Sequence, residues 1–378
     1  MKIVIAPDSY KGCLTAIEVS QIMKDAIYSE IPTVDIVLNP MADGGEGTLE
    51  SLIIATQGIY EIINVTGPLG NVIQSRYGIL GINDTAIIEV ASICGLPMVP
   101  MNSRNPMNTT TFGIGEAIKH ALNQGLKRII LGIGGSATND GGLGMLQALG
   151  AVFMDNLGRP VQPTGKGLQD IKTVNFDTID HRLKECELIV ACDVNNPLCG
   201  PNGASYIFGS QKGATPHQIR KLDSWLKHYA ALIEEELGVE FQNVPGSGAA
   251  GGLGFALLTI GARLESGAEI VSSATDLTKK LADANWVFTG EGQSDDQTLY
   301  GKVPAYVARV AKEHGCRTIL ISGSLGKGFE KLDGLFTSCH STVLSPMSME
   351  IAMEQARNSL FETTRNIAKL LKILPENL

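Results

Sequence analysis

A short β-branched run at residues 2–6, stopped by Pro7, is followed by an apolar periodic stretch at 16–27 and a second short run at 34–38. That order, a short β-branched run, a helical period and a second short run, reads as strand, helix, strand. The far end of the chain repeats it: residues 285–289 and 318–322 read as strands around a helix at 303–314, and 349–371 reads as one long closing helix. Parallel neighbours need a crossover of a dozen or more residues, and these helices supply it. Between the two ends the pattern changes. Residues 60–65, 72–79 and 85–90 are β-rich and separated only by Gly67-Pro68-Leu69-Gly70 and Gly81-Ile82-Asn83-Asp84, which leaves no room for helical crossovers and predicts an antiparallel meander. Helices at 47–56, 110–124, 141–150, 217–237 and 251–266 and strands at 127–131 and 187–191 fill the remainder. A chain of 378 residues is long enough for two domains at roughly 100–200 residues each. The fold class expected is therefore α/β, with a discontinuous α/β domain from residues 1–66 plus 280–378 and an inserted α/β domain at 67–279 that contains some antiparallel strands. A ligand is expected in the cleft between the domains or at the C-terminal ends of the strands.

Charge and hydropathy narrow the partners. Lys plus Arg number 30 against 39 Asp plus Glu, a formal charge of −9 with no basic block, so neither nucleic acid nor an anionic membrane surface is an expected partner. No apolar run approaches the ~18 residues of a membrane span. The start, Met1-Lys2-Ile3-Val4-Ile5-Ala6-Pro7-Asp8, has too short an apolar core for a signal peptide, and a cytoplasmic protein is expected. The seven cysteines include no C-x-x-C pair and read as buried thiols of a reducing compartment, and the scattered histidines do not suggest zinc.

Glycine is in excess, 43 of 378 residues, and gathers in clusters. No G-x-x-x-x-G-K-[ST] occurs, which excludes a Walker-type phosphate loop at the level of motif. Gly132-Ile133-Gly134-Gly135-Ser136-Ala137 matches G-x-G-x-x-A, and Gly246-Ser247-Gly248-Ala249-Ala250-Gly251 matches G-x-G-x-x-G. At this glycine content about 0.5 such matches arise by chance, so neither identifies a dinucleotide site alone. The first has context. A strand runs into Gly134 and Gly135, then Ser136, Thr138, Asn139 and Asp140, then a helix start at Gly141-Gly142, which could offer amides and hydroxyls to an anion or simply make a tight turn. The segment Gly246, Gly248, Gly251 and Gly252 could let a backbone approach a nucleotide, or could serve close helix packing.

Acids stand at four strand ends beside glycine, amide or hydroxyl residues. Asp8 is followed by Ser9 and Lys11; Asp43 by Gly44-Gly45-Glu46; Asp193 by Asn195; and Glu291 by Gln293, Asp295 and Gln297. Each alone would suit a helix cap or an Asx turn. Together they suit a Mg²⁺ site with a general base, since Mg²⁺ takes one or two carboxylates with phosphate oxygens and water. Lys11, Lys212 and Lys302 are the accompanying cations, and acids for a metal with lysines and glycine amides for phosphates are the parts of a phosphoryl transferase.

At these residues the sequence resembles the bacterial type I glycerate kinase family. The resemblance rests on Ala6-Pro7-Asp8-Ser9-Tyr10-Lys11, Met41-Ala42-Asp43-Gly44-Gly45-Glu46-Gly47-Thr48, the stretch from Gly132 to Gly142, Cys192-Asp193-Val194-Asn195-Asn196-Pro197-Leu198, Phe208-Gly209-Ser210-Gln211-Lys212-Gly213-Ala214, and Thr289-Gly290-Glu291-Gly292-Gln293 with Gln297-Thr298 and Gly301-Lys302. Cys13 stands where many members carry serine, so no hydroxyl is available there. The resemblance implies ATP-dependent phosphorylation of D-glycerate, with 2-phosphoglycerate as the expected product, and one flavodoxin-like and one restriction-endonuclease-like domain. Residue roles are assigned on chemistry. Asp193 or Asp8 would take the hydroxyl proton; Asp43, Glu46, Glu291 and Asp295 would hold Mg²⁺; and Lys11 and Lys302 would neutralise phosphate or carboxylate. Ser9, Gly134, Gly135, Ser136, Thr138, Asn139, Asp140, Asn195, Lys212, Gln293 and Gln297 are candidates for substrate or phosphate, and Gly246, Gly248, Gly251 and Gly252 for the nucleotide. The alternatives are a kinase for another small hydroxy acid, a non-catalytic sensor on the same fold, and a dinucleotide-dependent oxidoreductase in which Asp155 would read the ribose. The oligomeric state is left open, with a homodimer among the options.

Overall fold

The computed structural model describes residues 1–43, 47–81, 84–299 and 301–373. Contacts divide the chain into two compact units: Met1–Asp43, Glu50–Ala55 and Ala268–Leu378 form the first, and Gly44–Leu49 with Thr56–Gly267 form the second. The boundaries expected near 66 and 280 both fall earlier in the chain. The strand Ile59–Thr66 pairs along its whole length with Val72–Ile79 and so goes with the second unit, while the helices Gly267–Ala274 and Leu277–Leu281 go almost entirely with the first.

The first unit carries a five-stranded, all-parallel sheet. Its strands in chain order are Lys2–Ile5, Asp35–Leu38, Trp286–Thr289, Arg317–Ser322 and Ser338–Ser341, and across the sheet they lie in the order second, first, third, fourth, fifth. Each neighbouring pair is parallel, with Ile3 level with Trp286 and Ile36, and Phe288 level with Ile319. This 2-1-3-4-5 order is that of flavodoxin-like sheets, in which the chain reverses its winding between the first and third strands and opens a crevice at their C-terminal ends. The helix Ala16–Glu30 starts at a capping box in which Thr15 accepts from the Glu18 amide and Glu18 accepts from Thr15. Ile3, Ile5, Val19, Met23, Ile27, Phe288, Ile321 and Leu360 form the core, each such burial contributing roughly 1.5–3 kcal/mol.

The second unit holds a six-stranded sheet in the order Arg263–Glu265, Glu187–Ala191, Arg128–Gly132, Thr85–Glu89, Val72–Ile79, Ile59–Thr66. The first three of these adjacencies are parallel and the last two antiparallel, so the expected meander is present and leads into a parallel half. Two expected helices end differently. The helix expected at 251–266 is Ala249–Thr259, stopped before Gly261, which has φ +90°, and the chain continues as the strand Arg263–Glu265. The closing helix is two, Met349–Glu354 and Ala356–Ile373, and the first of them buries none of its residues. Among the described residues no helix is long and apolar enough to cross a membrane.

Candidate active site

The crevice at the switch point of the first sheet is built by the loops after strands one, two and three. Beyond Lys2–Ile5 the chain keeps to the sheet, with the Ala6 amide donating to Phe288 O and the Asp8 amide to Gly290 O, both at 2.8 Å. The second loop runs alongside through Asn39 N to Ile5 O (2.8 Å) and Met41 N to Pro7 O (2.9 Å), which carries Asp43 toward Asp8. Gly290 is required for the third loop, because a Cβ there would lie 1.8 Å from Ile321 O. Backbone pairing thus delivers three carboxylates, Asp8, Asp43 and Glu291, to one pocket of about 620 Å³.

Two lysines answer them. Lys11 pairs with Asp43, and Lys302 lies 3.2 Å from Glu291 Oε2 and 3.7 Å from Asp295. Lys302 is the N-cap of the helix Val303–Glu313, whose first turn contains Pro304, so its position follows from the helix start. Glu291 is held by two hydroxyls on Oε1, from Ser294 at 2.9 Å and Thr298 at 2.7 Å. Asp8 is buried, and its pKa is lifted to about 7, first by burial and then by the charge of Asp43, against the opposing Ser9 amide bond and Lys11. For Lys11, burial pulls the pKa down, but Asp43, Asp8 and Glu291 outweigh it and the ammonium is favoured.

Ser9 and Gln293 line the same pocket. Asp295, assigned above to metal, accepts the Gln297 amide at 3.0 Å in an Asx turn and faces Lys302, and Gln297 is exposed. Glu46 lies outside the described residues. Among the described residues no three acidic, histidine or cysteine side chains are placed to hold a metal by themselves. The oxygen-only donors at hand, one or two carboxylates with room for phosphate oxygens and water, suit Mg²⁺ in its usual manner.

A second polar group sits in the second unit, around the loop after Arg128–Gly132. Lys212 is 3% exposed and donates to Ser136 Oγ at 3.0 Å and Thr138 O at 2.7 Å, and burial lowers its pKa to about 8. Asp140, fully buried, accepts from the Thr111 amide and hydroxyl and from the amides of Gly142 and Gly144. Burial raises its pKa and those four bonds oppose the rise. Asp140 therefore joins two helix starts, and its partners belong to the chain itself. Asn139 donates to Ser205 Oγ at 2.9 Å.

The glycines expected to admit a nucleotide instead admit this loop. A Cβ at Gly251 would lie 2.0 Å from Thr138 O, one at Gly252 2.8 Å from the Gly141 Cα, and the Gly141 amide donates to Gly251 O at 3.0 Å. Gly246 and Gly248 are likewise buried, against Leu264 and Pro197. The exposed turn Gly134-Gly135, next to Ser136 and Lys212, is the part of the loop open to a ligand. Asp193 and Asn195 are exposed at the end of Glu187–Ala191, and Asp193 accepts the Gly267 amide at 3.2 Å. Asp155 closes a turn by accepting the Leu157 and Arg159 amides, which removes the acid that an oxidoreductase reading needs.

Sequence reasoning missed the far wall of the first pocket: Thr342, Val343, Met347, Met349, Ala352 and Met353. The available signal was three methionines within seven residues, two of which, Met349 and Met353, the assumption of one continuous helix absorbed.

Acids able to share a cation, lysines able to meet phosphates and a buried carboxyl titrating near neutrality, set at the switch point of a parallel α/β sheet, define a phosphotransferase. The model of the glycerate kinase family matches residues 3–372, and the chain belongs to that family. It is 46% identical to the glycerate 2-kinase of Escherichia coli, over 99% of this chain and 98% of that one, and 45% identical to a glycerate kinase of Halalkalibacterium halodurans, over 97% of each. It also superposes on a crystal structure described as glycerate kinase 2 from Salmonella typhimurium LT2, with a TM-score of 0.89, 46% identity and 98% of both chains covered.

Proposed function

We propose that this kinase transfers the γ-phosphoryl group of MgATP to the 2-hydroxyl of D-glycerate, giving 2-phosphoglycerate and ADP. The observation that carries the reading is the convergence of Asp8, Asp43, Glu291, Lys11 and Lys302 on one pocket. The 2-hydroxyl oxygen forms the new P–O bond, the bond between the γ-phosphorus and its bridging oxygen breaks, and the hydroxyl proton passes to Asp8. Asp8 is preferred over Asp193 as the base because it is buried among the phosphate-seeking groups, where burial raises its affinity for a proton, whereas Asp193 is exposed and accepts the Gly267 amide. Asp43 and Glu291 are the residues that would hold Mg²⁺, which when bound neutralises charge on the transferring phosphate. Lys11 and Lys302 meet the phosphate oxygens or the substrate carboxylate, and Ser9 and Gln293 meet the spectator hydroxyl. Support for the 2-position is the name of the Escherichia coli relative. Ser136, Lys212 and the Gly134-Gly135 turn are assigned as an anion-binding group of the second unit. The test is a coupled ADP-release assay across D-glycerate, L-glycerate and tartronate, with and without Mg²⁺, and NMR identification of the product. Turnover confined to D-glycerate with 2-phosphoglycerate as product is the expected result; no turnover with any of the acids would sink the proposal.

A further inference from the structure

The far wall of the carboxylate–lysine pocket has no role in the reaction just described, and its composition is unusual. Met347, Met349, Met353, Val343 and Ala352 line it, on a segment separate from the loops that carry Asp8, Lys11, Glu291 and Lys302. Folding does not account for these methionines. The helix Met349–Glu354 buries none of its residues, and Met349, Ile351 and Met353 are left 74%, 43% and 39% exposed. Exposed apolar groups that frame a pocket mark a surface a ligand covers. The wall is also held in register with the catalytic loop, since Cys13 Sγ donates to Met353 O at 3.2 Å and a Cβ at Gly12 would touch the Met353 methyl at 3.3 Å. Cys13 thus serves as a thiol tether to this wall.

We infer that this methionine wall is the site of the nucleotide's purine base, with the triphosphate running from it to Lys302 and Lys11. The inference rests on the phosphoryl-transfer reading of the other end of the pocket. A planar aromatic ring is the occupant that thioethers suit best, because sulfur is polarisable, favours ring contacts and repacks on flexible χ angles. A pocket of about 620 Å³, lined by methionines as well as by carboxylates and lysines, matches a nucleoside phosphate in size and in its mix of apolar and charged contacts, whereas glycerate has no apolar part to meet the methionines. Ser324 and Ser348 line the pocket as hydroxyls able to meet ring nitrogens. The glycines Gly246 to Gly252 are spent on packing within the second unit and are not needed for the nucleotide.

The test uses the full-length wild-type protein with ¹³C-methyl methionine, titrated with MgADP and, separately, with magnesium tripolyphosphate. MgADP should move the Met347, Met349 and Met353 methyl signals upfield by ring current, and tripolyphosphate should not. A kinetic arm uses Ala352→Trp, which fills the pocket from an already half-exposed position, with Leu344→Trp outside the lining as control. Ala352→Trp should raise the KM for ATP about tenfold or more, near the discrimination a filled apolar pocket provides, with the KM for glycerate unchanged. Ring-current shifts confined to other methionines, or an unchanged ATP KM in Ala352→Trp, would overturn the inference. Lys302→Ala separates the two levels. If it weakens ATP while Ala352→Trp is silent, only the base is misplaced; if both are silent, the phosphoryl site itself lies elsewhere.

Discussion

Lys212→Met is the perturbation whose size the structure best defines. The ammonium is buried, and its pKa falls from 10.5 to about 8. At about 1.36 kcal/mol per unit, keeping the charged form folded at pH 7 costs about 3 kcal/mol. The sign follows from linkage. Between pH 8 and 10.5 the unfolded chain holds the proton and the folded one releases it, so this group's contribution to stability rises with pH across that window and is flat below it. Buried tyrosines and cysteines with raised pKa values, such as Tyr77, Cys94 and Cys199, oppose this trend, since the unfolded chain ionises them first. Burial is the leading cause in each of the three; Tyr77 and Cys199 carry over unchanged to the variant, and Cys94, which the Lys212 charge holds down, only rises further when that charge is removed, so its folded thiol stays protonated from pH 7 to 10 in both proteins and the difference between them reports Lys212. The assay is urea unfolding at intervals from pH 7 to 10. Removing the charge relieves the burial penalty but strips a donor from Ser136 Oγ and Thr138 O, each worth about 1–3 kcal/mol when left unpaired. Lys212→Met should therefore lie near wild-type stability at pH 7 and fall behind it by about 1 kcal/mol or more per pH unit above 8, as wild type recovers its penalty. A stability difference that does not change with pH would refute the reasoning. An anion bound at Lys212 would raise its pKa again, so saturating D-glycerate or phosphate should flatten the same profile if the group binds anions.

Asp8→Asn should lower kcat by about 10²–10⁴-fold with KM values little changed, while Asp193→Asn stays within about twofold of wild type; the reverse pattern in steady-state kinetics would move the base to Asp193. Lys302→Ala should raise the KM for ATP by about 10–100-fold, the loss of one charged hydrogen-bonding partner, and unchanged kinetics would leave Lys302 as a helix-start residue only. Gly251→Ala places a Cβ 2.0 Å from Thr138 O at φ +72°, and should destabilise the protein by about 2–4 kcal/mol in urea unfolding. A loss under about 0.5 kcal/mol would mean that the two glycine segments can part freely.

Much of the fold is legible in the sequence because it is local. The runs ending at Ala6 and Thr289 are short, β-branched and followed by proline or glycine, and such signals survive without knowledge of neighbours. The meander from Ile59 to Glu89 is legible because its connections are too short for anything but antiparallel pairing. The break in the closing helix at Gln355 is not, because apolar periodicity continues across it, and only the exposure of Met349 and Met353 separates a packed helix from a pocket wall.

The sequence by itself determined which residue types stand at the strand ends, and hence that acids, lysines and glycines would be available for phosphate chemistry. It could not determine which ends meet. Asp8 and Glu291 come from opposite ends of the chain and become neighbours only because the first strand pairs with the third, a long-range choice set by the burial of Ile3, Ile5 and Phe288 in one core. The same holds for the glycine motifs, alike on paper. Tertiary packing places Gly251 and Gly252 against Thr138 and Gly141 and leaves Gly134 and Gly135 exposed, because a glycine's lack of a Cβ serves equally to admit a ligand or a neighbouring backbone, and only the folded chain decides which one is there.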